Sequence, residues 1–147
     1  MSDVKNLEHN QTIEKLKEMV KQSPIAMFCT DLSEVPFSAC PMSTQQVEDD
    51  GTMWFISNII SRHTSHIEQD GRVQLVFTNH GSSSYLTIYG TAEVHFNRAK
   101  LDEIWTPLAK AWFPEGKEDP DLTLIRVKPS EGYYWDTKSG KMVSFLK

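Results

Sequence analysis

Ser57, Ser61, Arg62, His63 and Ser65 bring hydroxyls, a guanidinium and an imidazole into one short stretch of the chain. Such a set suits an anion, above all a phosphate. The segment Ser61–Asp70 has helical length and opens on a capping serine, and a helix N-terminus offers unpaired N–H groups and the positive end of a dipole. On composition alone the same residues more often make a capped surface helix. Of the five histidines, His9, His63, His66, His80 and His95, only His63 and His66 have a spacing that shares a helix face. No HExxH, CxxC or carboxylate–histidine cluster accompanies them, and structural zinc takes four ligands, so these imidazoles are read as facing solvent or phosphate rather than metal. Cys29 and Cys40 make neither a disulfide framework nor a metal set and read as reduced, small hydrophobes. The serines at 61–65 and 82–84 stand outside any GxSxG and belong to caps and turns. GxGxxG and GxxxxGK are both absent, so the spacing supports neither a Rossmann site nor a P-loop.

The elements that must hold these residues follow from periodicity. Ile13, Leu16, Met19 and Val20 make one apolar stripe on a charged segment, which predicts a helix over Asn10–Gln22 closed by Ser23-Pro24. Ile25–Thr30 reads as a short buried strand, Asp31–Glu34 as a turn, and Val35–Thr44 as a second strand that Pro41 pushes toward an edge, a bulge or a ligand. Asp49-Asp50-Gly51 is a hairpin turn before a third strand, Thr52–Ser57. The polar helix Ser61–Asp70 comes next, with Gly71 at the place of a C-terminal glycine. Val73–Thr78 and Tyr85–Phe96 are the fourth and fifth strands, the latter with a bulge at Gly90. Leu101, Ile104, Trp105 and Leu108 predict a helix over Arg98–Ala111, and Leu122–Val127 and Gly132–Asp136 a sixth and a seventh strand. Strands in hairpin order with too few helices to alternate predict an antiparallel barrel with helices outside it.

Composition bounds the rest. The chain has 147 residues, enough for one domain over 1–147, with residues 1–11 expected as a loose N-terminus and 137–147 as a basic C-terminal tail. Its net charge is −5 with no Lys/Arg run, which argues against nucleic acid or an anionic membrane as partner. A hydrophobic share of 39%, with 7 Phe, 4 Trp and 4 Tyr, supplies a packed core rather than a disordered chain. Apolar runs of membrane-spanning length and a signal-like start are lacking, so a cytoplasmic location is expected.

Motifs in series narrow the fold. Ser38-Ala39-Cys40-Pro41-Met42, Gly51–Ser57, Ser61-Arg62-His63 and Tyr85–Val94 resemble, in order and spacing, the pyridoxamine phosphate oxidase-like FMN-binding split barrels. Trp105-Thr106-Pro107, Trp112–Gly116, Asp119-Pro120-Asp121 and Tyr134-Trp135-Asp136 resemble the general stress protein branch in particular. The resemblance covers about residues 12–136. It implies a mainly β fold with flanking helices, a split β-barrel of six to seven antiparallel strands, and FMN held in a cleft between the protomers of a homodimer.

The resemblance also implies which residues meet the cofactor. The family's Arg-Pro-Met stretch corresponds to Cys40-Pro41-Met42, its aromatic-Thr/Ser pair to Ile56-Ser57, its phosphate-binding triplet to Ser61-Arg62-His63, and its polar residue reaching the isoalloxazine to Tyr85. Two cations are replaced here, Arg by Cys40 and Lys by His63. Each lost charge-assisted hydrogen bond is worth roughly 1.5–3 kcal/mol, so weakened FMN affinity is expected. His63 compensates only when protonated, which is partial at neutral pH. Gln45 and the ending Lys141–Lys147 lack the basic groups of a true pyridoxamine phosphate oxidase, so vitamin interconversion is excluded. The implied function is an FMN-binding oxidoreductase of unidentified substrate, in which no side chain declares itself an acid or base. The alternative is a non-catalytic split-barrel module with weak or lost flavin binding. Trp105 and Trp112 fit either, as a cleft wall or as an interface seal.

Overall fold

The computed structural model describes residues 9–146. The first helix, α1 (His9–Gln22), buries the stripe that its sequence presents, with Leu16 fully covered and Ile13, Met19 and Val20 at most 8% exposed. Seven strands follow: β1 (Ile25–Thr30), β2 (Ser38–Val47), β3 (Met53–Asn58), β4 (Arg72–Asn79), β5 (Ser84–Val94), β6 (Leu122–Asp136) and β7 (Lys141–Leu146). Helix α2 (Arg62–Gln69) links β3 to β4, and α3 (Arg98–Ile104) follows β5. The strands run β3-β2-β1-β4-β5-β6-β7, every neighbour antiparallel, and β3 pairs again with β6. Six strands therefore close a barrel, the split-barrel class expected from the sequence, and β7 extends one edge.

Period-2 alternation decides what fills it. Phe28, Met53, Phe55, Leu75, Ile88, Ile125 and Val127 point inward, with Phe28 and Phe55 packed edge to face at 5.1 Å between ring centres. A second cluster of Trp54, Leu101, Ile104, Phe113, Leu122 and Leu124 forms under α3 on the other side of β3 and β6. Among the described residues no helix is long and apolar enough to cross a membrane.

The bounds of the elements depart from the sequence reading at five places. β2 starts at Ser38, because Val35 stands 96% exposed and Pro36 brings no backbone donor to a ladder. The helix expected to reach Ala111 ends at Ile104: Pro107 forces Thr106 into an extended conformation, and Pro107–Ala111 continues as a 3-10 turn with Leu108 83% exposed. The sixth and seventh strands are one, since Pro129 sits where the register between Tyr89 and Gly90 shifts and the bulge removes the need for its N–H. Part of the expected C-terminal tail forms β7 against β6. Of the expected loose N-terminus, residues 1–8 lie outside the described residues, and the rest already belongs to α1.

Candidate functional site

The end of β3 and the start of α2 are bound together by hydroxyls. The Asn58 carbonyl accepts from Ser61 N at 3.1 Å and from Ser61 Oγ and Thr64 Oγ1, each at 2.8 Å. Ser61 caps α2, its Oγ taking the Thr64 N–H at 3.4 Å and its carbonyl the Ser65 N–H at 3.2 Å. The N–H groups of Arg62 and His63, at the positive end of the helix, have no partner among the described residues.

That turn aims His63 into the space between α2 and β2. Its Nε2 lies 2.6 Å from Ser57 Oγ and 3.2 Å from Ser61 Oγ, and its Nδ1 lies 3.4 Å from Cys40 Sγ. One turn on, His66 Nδ1 meets Thr30 Oγ1 at 2.9 Å, and its Nε2 stands 3.9 Å from Asp31 Oδ2, tying α2 to the end of β1. Burial, and after it the neighbouring His66, hold His63 below its ordinary pKa, while burial pushes the Cys40 thiol up. At neutral pH the contact between them is therefore one of uncharged groups.

A cleft of about 600 Å³ opens here, within the range of cofactor sites. Its walls are Thr30 and Asp31, Pro36 and Phe37 with the start of β2 through Cys40, and Arg62, His63 and His66 of α2. Arg62 is exposed and makes no ion pair or hydrogen bond among the described residues, so its guanidinium is free to meet a ligand.

Of the nine residues expected at the cofactor, the structure gathers five around this space: Cys40, Arg62 and His63 in its wall, with Ser57 and Ser61 behind the imidazole. Four lie elsewhere in the protomer. Met42 is 9% exposed and belongs to the barrel core, and Ile56 packs on the cluster beneath α3. Pro41 and Tyr85 face outward from the sheet. The walls also include residues that the sequence did not point to, namely Thr30, Asp31, Pro36 and Phe37. Ser38 and Ala39 stand in the motif around Cys40, and His66 lies three residues beyond His63.

Comparison with known proteins places this arrangement. The chain is 26% identical over 136 residues to protein bli-3 of Neurospora crassa, an alignment covering 85% of this chain and 65% of that protein. It is 29% identical over 48 residues to general stress protein 26 of Bacillus subtilis, covering 33% of this chain and 34% of that one. The chain thus spans less than two thirds of the length of these curated relatives in either alignment. Among solved structures, a protein related to general stress protein 26 from Clostridium acetobutylicum shares the fold, with a TM-score of 0.79, 21% identity, and coverage of 95% of this chain and 96% of that one. The general stress FMN/FAD binding protein of Xanthomonas citri gives a TM-score of 0.74 at 28% identity, covering 85% of this chain and 88% of that one. The family profile described as "Pyridoxamine 5'-phosphate oxidase like" matches residues 11–147. With the closed six-strand barrel and this match over nearly its whole length, the chain belongs to the pyridoxamine 5'-phosphate oxidase-like family.

Proposed function

We propose that this chain is an FMN-binding flavoprotein of the general stress type, a homodimer that acts as an oxidoreductase. The observation that carries the reading is the free Arg62 guanidinium beside the open N-terminus of α2, in the wall of a cleft of about 600 Å³. The donor set fits a phosphate monoester: one guanidinium unpaired among the described residues, two backbone N–H groups and the helix dipole all belong to the same end of α2. The relative from Xanthomonas citri, described as FMN/FAD binding, supports the same ligand class. A bound flavin supplies hydride and one-electron chemistry. Around it, Arg62 would pair with the phosphate, Ser57 and Ser61 would fix the His63 ring, and Pro36, Phe37 and Ala39 would offer an apolar wall.

The homodimer reading rests on an outward face. Met27 stands directly opposite Val76 on one side and Pro41 on the other, and Tyr85 stands opposite Trp135. Together with Ile25 these side chains form an exposed apolar stripe across β2, β1, β4, β5 and β6, with Ile25 at 58% and Met27 at 44% exposure. A second copy seated there would bring Pro41 and Tyr85, which point away from this protomer's cleft, into a shared site.

One observation favours the second reading, a barrel with weak flavin binding that serves as an interaction module. Cys40 and His63 face each other as neutral partners, and the Asp31 carboxylate shares their cleft, so neither substitution restores a cation. Titration with FMN, followed by absorbance through gel filtration, separates the two. Flavin bands that travel with the protein are expected, and no binding at millimolar FMN overturns the flavoprotein reading in favour of the module.

A further inference from the structure

We propose that Cys40 and His63 form a nucleophilic thiol–imidazole pair, and that Cys40 is a covalent acceptor site for conjugated-carbonyl electrophiles entering the cleft. The proposal stands apart from flavin binding, since it needs only side chains of this chain.

The tautomer of His63 can be worked out from its neighbours. Ser61 Oγ and Thr64 Oγ1 lie 2.7 Å apart and both reach the Asn58 carbonyl, so their two hydroxyl protons are consumed by that carbonyl and by each other. With its proton on the Asn58 carbonyl, Ser61 Oγ accepts from His63 Nε2. In that tautomer the proton of the neutral ring sits on Nε2, with Ser57 Oγ also at 2.6 Å. Nδ1 is then a bare lone pair, and it faces Cys40 Sγ at 3.4 Å, the geometry of a thiol held against its base.

The cleft suits the electrophile. Pro36, Phe37 and Ala39 add apolar surface to the cleft that Cys40 also lines, and Arg62 offers donors to a carbonyl oxygen. As Sγ bonds to the β-carbon of an enone or quinone, the thiol proton passes to Nδ1 and the π pair moves to the carbonyl oxygen. The resulting imidazolium then returns that proton to the α-carbon. One S–C bond forms, one π bond is lost and no oxidant is required. The groups facing the pair are Cys29 on β1, Asp31 after it, and Arg62 and His66 on α2. Cys29 serves as an internal control: it is 6% exposed, contacts the Met27 carbonyl at 3.8 Å and has no hydrogen bond to a histidine among the described residues.

The test is reaction of the full, flavin-free chain with a small excess of N-ethylmaleimide, read by intact mass and peptide mapping. A single adduct on Cys40 is expected, with Cys29 modified only in denaturant. The rate should rise once below about pH 6.5, with the imidazole, and then stay flat toward pH 8. In His63→Gln it should fall at least tenfold near neutral pH and climb tenfold per pH unit, as a lone thiolate does. A native Cys40 that stays unmodified, or a variant with the parent's rate and profile, overturns the proposal. If His63→Gln labels Cys29 natively, the variant has lost its fold and the parent profile decides alone: a tenfold rise per unit through pH 8 overturns the pair, and a flat limb supports it.

Discussion

Arg62 gains nothing from the folded chain, because it is exposed and carries no ion pair or hydrogen bond among the described residues. A side chain in that position can change ligand affinity without changing stability. Arg62→Ala should therefore weaken FMN about ten- to a hundredfold, as expected for one charge-assisted hydrogen bond, and leave the melting temperature of the free protein in place. Unchanged affinity in a flavin-fluorescence titration would move the phosphate site off this arginine. His63 behaves in the opposite way, since it is built into the fold. Burial and then His66 hold its folded pKa below the ordinary value, so the unfolded chain takes up a proton first. Its contribution to stability is complete above about pH 6.5 and is lost as pH falls toward the lowered folded value. The melting temperature should thus be lower at pH 5.5 than at pH 7.5, and the difference should shrink in His63→Gln; an equal difference would place the acid sensitivity elsewhere. Added FMN should offset the loss at pH 5.5, because a phosphate in the cleft favours the imidazolium.

At the scale of elements, two glycines hold strands and helices at their spacing. A Cβ on Gly90 would lie 2.4 Å from the Lys128 carbonyl oxygen, and one on Gly71 would lie 2.7 Å from that of Ala92, both of them backbone atoms with no room to yield. Gly90→Ala should cost roughly 2–4 kcal/mol and lower the denaturant midpoint at an unchanged slope, whereas a loss below about 0.5 kcal/mol would mean that the bulge relaxes. Gly71 also shows where sequence reading stops short. Its place after a polar helix suggests a left-handed C-terminal glycine, yet Asp70 closes α2 in an extended conformation and Gly71 is required by the approach of β5. The stripe Ile13, Leu16, Met19 and Val20 was legible because a helix repeats its face within a few residues. The Ser61-Arg62-His63 turn was legible as a cap for the same reason. The continuity of β6 through Pro129 was not, since proline ends a strand unless a bulge in a distant partner absorbs it. Nor was the place of Pro36 and Phe37 in the cleft, which depends on where the chain runs opposite α2 rather than on local pattern.

At the scale of the molecule, the homodimer proposed above rests on the outward stripe through Met27 and Val76. The protein should sediment at micromolar concentration as twice 16.8 kDa, and Met27→Glu, which puts a charge at the centre of that stripe, should shift it to the monomer without unfolding it. A parent that sediments as a monomer would remove the shared site. The ladder between β3 and β6 closes the barrel by joining Met53 to Val127 and Asn58 to Leu122, residues separated by half the chain. Until that seam zips, both strands are open edges with apolar side chains beside them, and the loop to be closed is the costliest in the topology. Closure should therefore come late on the path to the native state, after the β4–β5 hairpin that pairs Leu75 with Ile88. Leu124→Ala, at the seam, should then lose roughly 2–5 kcal/mol almost entirely through faster unfolding, while Leu75→Ala, in the hairpin, should slow refolding. Stopped-flow chevrons with the opposite assignment would make the seam part of the nucleus. With the expected order, the half-zipped barrel is the species most exposed to edge-to-edge association, and refolding yield should fall with protein concentration even where the native state is stable.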